Sequence, residues 1–177
     1  MLELTTVGLI IMILIAIALP NFLEAQVRAR VTAAYTDIGL VAQAIEEYYI
    51  EHRAYPPNRV GILENGGLAG DGEPWVRGTA LEALTTPVPF LSRLPYDQFD
   101  RRQDVPQIFD YVNLLDPSGK RISAHSMSGQ GSCVYVVAGL APDKIPQIKA
   151  GEIPPTAIPY SPTNGTVSFG DQVLLGP

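Results

Sequence analysis

The stretch Val7–Arg30, VGLIIMILIAIALPNFLEAQVRAR, decides the fold. No charged side chain occurs from Leu4 to Leu19, and Glu3 is the only charge before Glu24. An apolar helix needs about 18–20 residues to cross a bilayer. Residues 1–19, dominated by Ile, Leu and Ala, just meet that length, and a helix satisfies its own backbone in lipid. A secretory peptide is the competing reading, because Ala16-Ile17-Ala18 has the small-x-small form of a cleavage site. Two features oppose it. No Lys or Arg precedes the run, and the helical pattern does not stop where a removed segment would end.

Beyond Pro20, apolar or small residues recur at Phe22, Ala25, Ala29 and Ala33, then at Ala34, Ile38, Val41, Ile45 and Tyr48. Steps of three and four are those of an amphipathic helix. The charges Glu24, Arg28, Arg30, Asp37, Glu46, Glu47 and Glu51 fall mostly between them. Pro56-Pro57 ends the pattern, since the residue before a proline is pushed out of the α region. The spacing therefore predicts one helix over residues 1–53, a rod of about 80 Å. A domain of this size cannot cover such a rod, so its N-terminal half must lie in lipid or against other copies. Pro20 lacks a backbone donor and clashes with the preceding turn, which predicts a kink or a locally melted segment there.

Composition narrows the function. The 177 residues suffice for about one domain plus an extension. Twelve basic and 18 acidic side chains give a net charge of −6, and the scattered basic residues form no cluster able to neutralise several phosphates. Nucleic acid is excluded as a partner on that ground. A single cysteine, Cys133, leaves no intrachain disulfide and no Cys-based zinc site. Of the 16 prolines only Pro20 precedes Arg53, and of the 16 glycines only Gly8 and Gly39 do. Turns are thus confined to the remainder of the chain.

Glu3 stands out. A carboxylate at the edge of an apolar helix costs a few kcal/mol, roughly, unless it reaches headgroups or finds a partner. It is either an interfacial Glu or one member of an ion pair with a cation of another copy, such as a free α-amino group. Such a pair sets register more than it adds stability.

Residues 2–57, with the acidic residue opening the run, the Ala18–Phe22 step ALPNF and Tyr55-Pro56 after the helix, resemble the N-terminal helix of bacterial type IV pilins and type II secretion pseudopilins. The resemblance implies a subunit that waits in the inner membrane and is then polymerised by secretion or pilus machinery into a helical homopolymer. Helices of this kind form the filament core, with a methylated first residue. Carried over, subunit assembly falls on Glu3, Pro20 and Phe22: Glu3 for pairing with a neighbour's α-amine and Pro20 for local melting. Two residues fewer precede Glu3 than the family pattern has, so the methylated position is not assigned to Met1.

The rest is mixed. Residues 58–78, NRVGILENGGLAGDGEPWVRG, read as a long loop, and their glycines lack the spacing of a dinucleotide fingerprint. Strands are expected at Phe109–Leu115, Ser132–Gly139 and Val167–Leu174, with a turn at Asp116-Pro117-Ser118-Gly119. A small antiparallel sheet on the C-terminal half of the helix gives a pilin-like α+β fold. The expected division is a transmembrane or filament-core segment, 1–25, and a head, 26–177. The head comprises helix 26–55, a loop-rich region 56–108, and a sheet with C-terminal loops, 109–177.

FLSRLPYDQFD (90–100) and YVVAGLAPDK (135–144) resemble pseudopilin signatures, although Gln98 replaces a usual proline and the second lacks a glycine. The resemblance implies one calcium in the C-terminal loops, with Asp143 and Asp171 at the matching positions. Calcium takes six to eight oxygens, roughly, so two aspartates would need carbonyls and water beside them. Solvated turn aspartates fit the sequence equally. Chemistry finds no foothold: His52 ends the helix, His125 and Ser126, Ser128 and Ser132 lack nucleophile-elbow spacing, and a Cys133–His125 pair has no supporting motif. Asn164-Gly165-Thr166 reads as a turn rather than a glycosylation site. The expectation is a non-enzymatic filament subunit, with a type II secretion pseudopilin ahead of a surface type IV pilus. A singly anchored periplasmic binding domain is the alternative of another class.

Overall fold

The computed structural model describes residues 2–57, 61–62, 68–69, 81–100, 107–115, 133–145, 159–161 and 170–177. Among these the chain is α+β: one long N-terminal helix and a small antiparallel sheet. Helix α1 runs from Leu2 to His52, 51 residues, about 77 Å at the 1.5 Å rise of an α-helix. Glu3 in its first turn and His52 in its last have the polarity that complements the helix dipole. The helix ends at Arg53, which takes the left-handed conformation at φ 55° while its N–H donates to the Tyr49 carbonyl at 2.8 Å. That is the backbone state a C-terminal cap uses, adopted here without glycine.

Of the kink or locally melted segment expected at Pro20, the melted segment is absent: α1 is helical through it. The expected stripe holds from Ala34 through Ile38, Val41 and Ile45 to Tyr48 and departs from the structure only before Ala34. The side chains that α1 buries are Val31, Ala34, Ile38, Val41 and Ile45 at alternating steps of three and four, with Ala42 and Ala44 beside them. Val27 packs partly at one end and Tyr48 at the other. Phe22 is 59% exposed, and Ala25 and Ala29 are exposed too. An alanine offers too little apolar area to direct docking, so the β-branched Val27 and Val31 set where the head begins to touch the helix.

Three strands form the sheet in the order β3 (Asp110–Asn113), β4 (Tyr135–Gly139), β5 (Gln172–Leu175), antiparallel throughout. Each lies within or overlaps a run expected from β-branched and aromatic content, trimmed at the ends. Val167–Phe169 of the third run and the turn 116–119 lie outside the described residues. The register pairs Tyr111 with Val137 and Leu174, and Val112 with Val136 and Leu175. The first set faces the helix, packing with Ile38, Val41 and Ile45 over Leu81, Leu84 and Phe109. The second set forms a separate cluster with Leu114 and Cys133 on the opposite face. A buried Ile or Val in such a cluster contributes about 1.5–3 kcal/mol over its exposed state. The central strand β4 is buried at all five positions.

Leu81–Leu84 forms a 3-10 turn whose Leu84 carbonyl accepts the N–H groups of Phe90 and Leu91 at 2.9 and 3.0 Å. Within the stretch expected to be loop, β1 (Gly61–Ile62) pairs antiparallel with β2 (Leu68–Ala69). Asn65-Gly66 between them is a strong hairpin pair in sequence, and it is the signal passed over.

The chain returns to β4 at its C-terminal end. Gly176 donates to the Tyr135 carbonyl at 2.9 Å and accepts from the Val134 N–H at 3.3 Å. A Cβ at Gly176 would sit 2.1 Å from the ring of Tyr135, which is fully buried and cannot move aside. Gly176→Ala is expected to destabilise the head by about 1–3 kcal/mol, the cost of overpacking a tight core, measured by urea unfolding of the protein in detergent. A variant as stable as the original would mean that this contact yields freely.

Candidate functional site

Two features are candidates: the uncovered half of α1 and the polar end of the sheet. In the first, the apolar segment is long enough to cross a membrane, and none of its most apolar 18-residue window is buried against the rest of the protein. Leu4 is 80% exposed and Met12 71%. An exposed apolar face of this extent is suited to a membrane or to another protein surface. Glu3 lies exposed in the first turn, where the helix dipole favours a negative charge. Among the described residues its carboxylate has no ion pair; the one recorded there joins Arg28 to Glu24 on the exposed face. Pro20 sits inside the continuous helix, and the neighbouring Asn21 side chain donates from Nδ2 to the Ile17 carbonyl at 3.3 Å. Phe22 belongs to the uncovered surface, not to the stripe that meets the head.

The second feature is centred on Leu140, where β4 leaves the sheet. Both its backbone groups are taken by side chains. Asp97 Oδ2 accepts the Leu140 N–H at 2.7 Å, and Gln172 Nε2 donates to the Leu140 carbonyl at 3.3 Å. The other Asp97 oxygen accepts the Phe99 N–H at 2.9 Å. Asp97, Asp100, Asp171 and Gln172 are all buried here. Neither Asp97 nor Gln172 stood out in the sequence as a site residue, although Asp97 is the aspartate of the LPYDQF stretch that did. Gln172 gave no one-dimensional signal at all.

Asp143 and Asp171 lie at this same end. Continued by one residue, the β4–β5 register sets Asp171 across from Leu140, three residues before Asp143. Asp171 joins Pro159 in a parallel bridge, and its carbonyl accepts the Tyr160 N–H at 2.9 Å. Asp143 Oδ1 accepts the Ile145 N–H at 3.2 Å in a turn where Lys144 takes φ 59° and its N–H donates to Ala141. Fold and register thus bring the two aspartates to one end of the head. Among the described residues, no three His, Cys, Asp or Glu side chains converge as a metal would require. Any cation held there would need carbonyls and water for most of its shell.

Of the residues weighed for chemistry, His52 is exposed and stacked on Tyr48 at 4.1 Å between ring centroids, and Cys133 packs beside Val112 and Val136. His125 and Ser126, Ser128 and Ser132 lie outside the described residues.

Burial raises the Asp97 carboxyl above the usual range, its two main backbone donors pull it back, and the nearby Asp100 adds to the rise. In an acid whose pKa is raised by folding, the folded chain binds more protons than the unfolded one. Its contribution to stability is therefore greatest below the ordinary carboxylate range, about pH 4, and falls as pH climbs through the raised value. Asp97→Asn should flatten that part of the stability–pH curve, while costing about 1–3 kcal/mol at every pH because an amide cannot accept both N–H groups. Denaturant melts of the two proteins across the acid range check this, and parallel curves would remove Asp97 as the titrating group.

Comparison with family models, with curated proteins and with solved structures finds no match.

Proposed function

We propose that the chain is a structural subunit of a helical filament of the type IV pilin and type II secretion pseudopilin kind. In this proposal it is held in the bacterial inner membrane by residues 1–25 and then drawn by secretion or pilus machinery into a periplasmic or extracellular homopolymer. The observation that carries it is the division of one continuous helix. Its C-terminal half packs on a sheet, and the apolar run of its N-terminal half is covered by none of the described residues. A simple anchor needs the apolar run alone. A helix that continues for about nine turns, about 50 Å beyond Leu19, as the spine of a head is what a polymer built by lateral helix packing requires.

The physical chemistry of assembly follows. Moving such a helix from lipid into a bundle of its own kind gains little hydrophobic energy, because lipid tails are as apolar as leucine. Packing and polar pairing must then select the arrangement. Glu3 is placed for that role: in a dry core its carboxylate is costly alone and tolerable beside a cation, so it fixes axial register between copies rather than adding bulk stability. Pro20 and Phe22 complete the assembly surface. The absence of a cysteine pair, together with LPYDQF and GLAPDK, places the pseudopilus ahead of a surface pilus. No catalytic step is proposed.

Glu3→Ala should insert into membranes as well as the original, since removing a charge favours lipid, but its filament yield should fall at least tenfold by negative-stain electron microscopy. Filaments with a helical-rod core from the original protein support the proposal. Dispersed monomers under the same conditions would favour a singly anchored domain, and normal filaments from Glu3→Ala would exclude the pairing role.

Calcium at Asp143 and Asp171 is the remaining element of the proposal. A bound ion would stabilise the head by mass action, about 2.7 kcal/mol at a hundredfold excess over its dissociation constant. Chelation should lower the melting temperature of the original protein and leave Asp171→Ala unaffected. Identical melting with calcium and with chelator would sink the calcium assignment without touching the filament.

A further inference from the structure

Strand β4 runs against the direction of α1. At its start Tyr135 packs with Ile38, Val41 and Ile45, and its ring centroid is 5.3 Å from that of Tyr55, just past the helix end. Beyond its far end Leu140 and Ala141 pack with Val31 and Ala34. The chain thus descends along the helix toward the apolar run, and its next turn, residues 141–145, lies at the end of the head nearest that run. Two hydrogen bonds shape the turn. The Lys144 N–H donates to the Ala141 carbonyl at 2.9 Å, and Asp143 Oδ1 accepts the Ile145 N–H at 3.2 Å. Lys144 takes φ 59°, uncommon for a residue with a side chain, and both Lys144 and Ile145 are left exposed. Tyr96 reaches the same end, since it bridges to Ile108 while its neighbour Asp97 accepts the Leu140 N–H.

Large apolar side chains are not exposed evenly over the head. Among the described residues after α1, Tyr96 is 64% exposed, Ile145 52% and Val88 40%. Val88 lies two residues before Phe90, which packs edge-on against Tyr48 at the opposite end. The two most exposed therefore share the end that faces the apolar run, beside Lys144, and the exposed Arg28 and Arg30 of α1 flank that end. A ring with a hydroxyl, a branched aliphatic chain and flanking cations are the side chains of a membrane interface. Ring and chain bury among glycerol and acyl carbons, while ammonium and guanidinium groups reach phosphate. The heights agree. Leu19, Phe22 and Leu23 are the last large apolar residues before Glu24. Val27, where the head begins, stands four to eight residues beyond them, about 6–12 Å along the axis. A headgroup layer is about 5–8 Å thick, and the tilt of about 20° that is ordinary for such helices lowers whatever lies to one side.

We propose that this end of the head is a membrane-contact surface. It rests on the bilayer that α1 spans, with Ile145 and Tyr96 in the headgroup layer and Lys144 on lipid phosphate. The proposal rests on the reading of residues 1–25 as a membrane segment, and it is independent of the filament and of calcium. It gives the exposed turn a task in the dispersed chain. Held at two points, the helix and the turn, the head leans to a fixed side and does not swing about the helix axis. Leaving the membrane then requires release of the turn as well as withdrawal of the helix.

The test uses the full chain in phosphatidylcholine–phosphatidylglycerol bicelles doped with a phospholipid that carries gadolinium on its headgroup, and reads paramagnetic broadening of backbone amides by NMR. Tyr96 and residues 143–145 should broaden strongly, whereas Leu84 and Phe90 at the opposite end should not. Lys144→Ala should reduce the broadening at 143–145 about two- to fivefold, the effect of one cation at an anionic surface, and Ile145→Asp should reduce it further. Both side chains are exposed, so the variants keep the head, which unchanged amide shifts over residues 135–139 verify. Amide exchange at residues 7–19 in the same samples reads the membrane segment separately. Slow exchange there, with broadening at 143–145 that is weak or the same in both variants, overturns the contact and leaves the anchor standing. Fast exchange there overturns both. Shifts of Tyr96 and Ile145 that grow with protein concentration at fixed lipid would assign the patch to a second copy and overturn the membrane contact.

Discussion

A single helix of 51 residues meets a head that can cover less than half of it, and every other feature of the chain is arranged around that mismatch. From Val27 to Tyr48 the helix is an ordinary core element, with one face sealed by the sheet, Leu81, Leu84 and Phe99. From Val7 to Leu19 the same backbone presents apolar side chains all round. A helix that is apolar on every side belongs to lipid or to a protein interior. Among the described residues, nothing of the head covers it. The boundary between the regimes lies at Val27 and Val31, the first side chains of α1 to pack on the head.

Within the head, polar groups are spent on anchoring loops to the ends of strands. Leu140 is held by Asp97 on its N–H and by Gln172 on its carbonyl. Pro56, just past the helix, gives its carbonyl to both Tyr111 and Asn113, at 3.1 and 3.2 Å. Each arrangement solves the same difficulty. A backbone group buried where regular pairing stops must find a side chain, because leaving it unserved costs about 1–3 kcal/mol.

Much of this was legible in the sequence, and the divisions are physical. The helix could be read because its charge gap and its three–four periodicity span many turns, and the strands because runs such as YVVAG admit few other states. The docking stripe was read correctly from Ala34 to Tyr48 and was carried too far toward the N-terminus, where Ala25 and Ala29 count as apolar by type while offering little area. Asp97 and Gln172 were not legible as site residues. Their burial depends on which loop folds over Leu140, a three-dimensional fact that no local pattern carries. Asp143 and Asp171 were paired by sequence order, and the β4–β5 register does set them at one end of the sheet.

The contacts between helix and head are strung along the helix axis from Val27 to Tyr48, a distance of about 32 Å. A pull applied along that axis loads them together, in shear, and no single contact can fail before its neighbours share the force. A pull across the axis would instead peel them one at a time. The double hydrogen bond at Pro56 sits just beyond the far end of this seam, where peeling would start from the C-terminal side. The head is thus mechanically anisotropic: stiff to traction along the rod, and fastened at the end from which it would otherwise unzip.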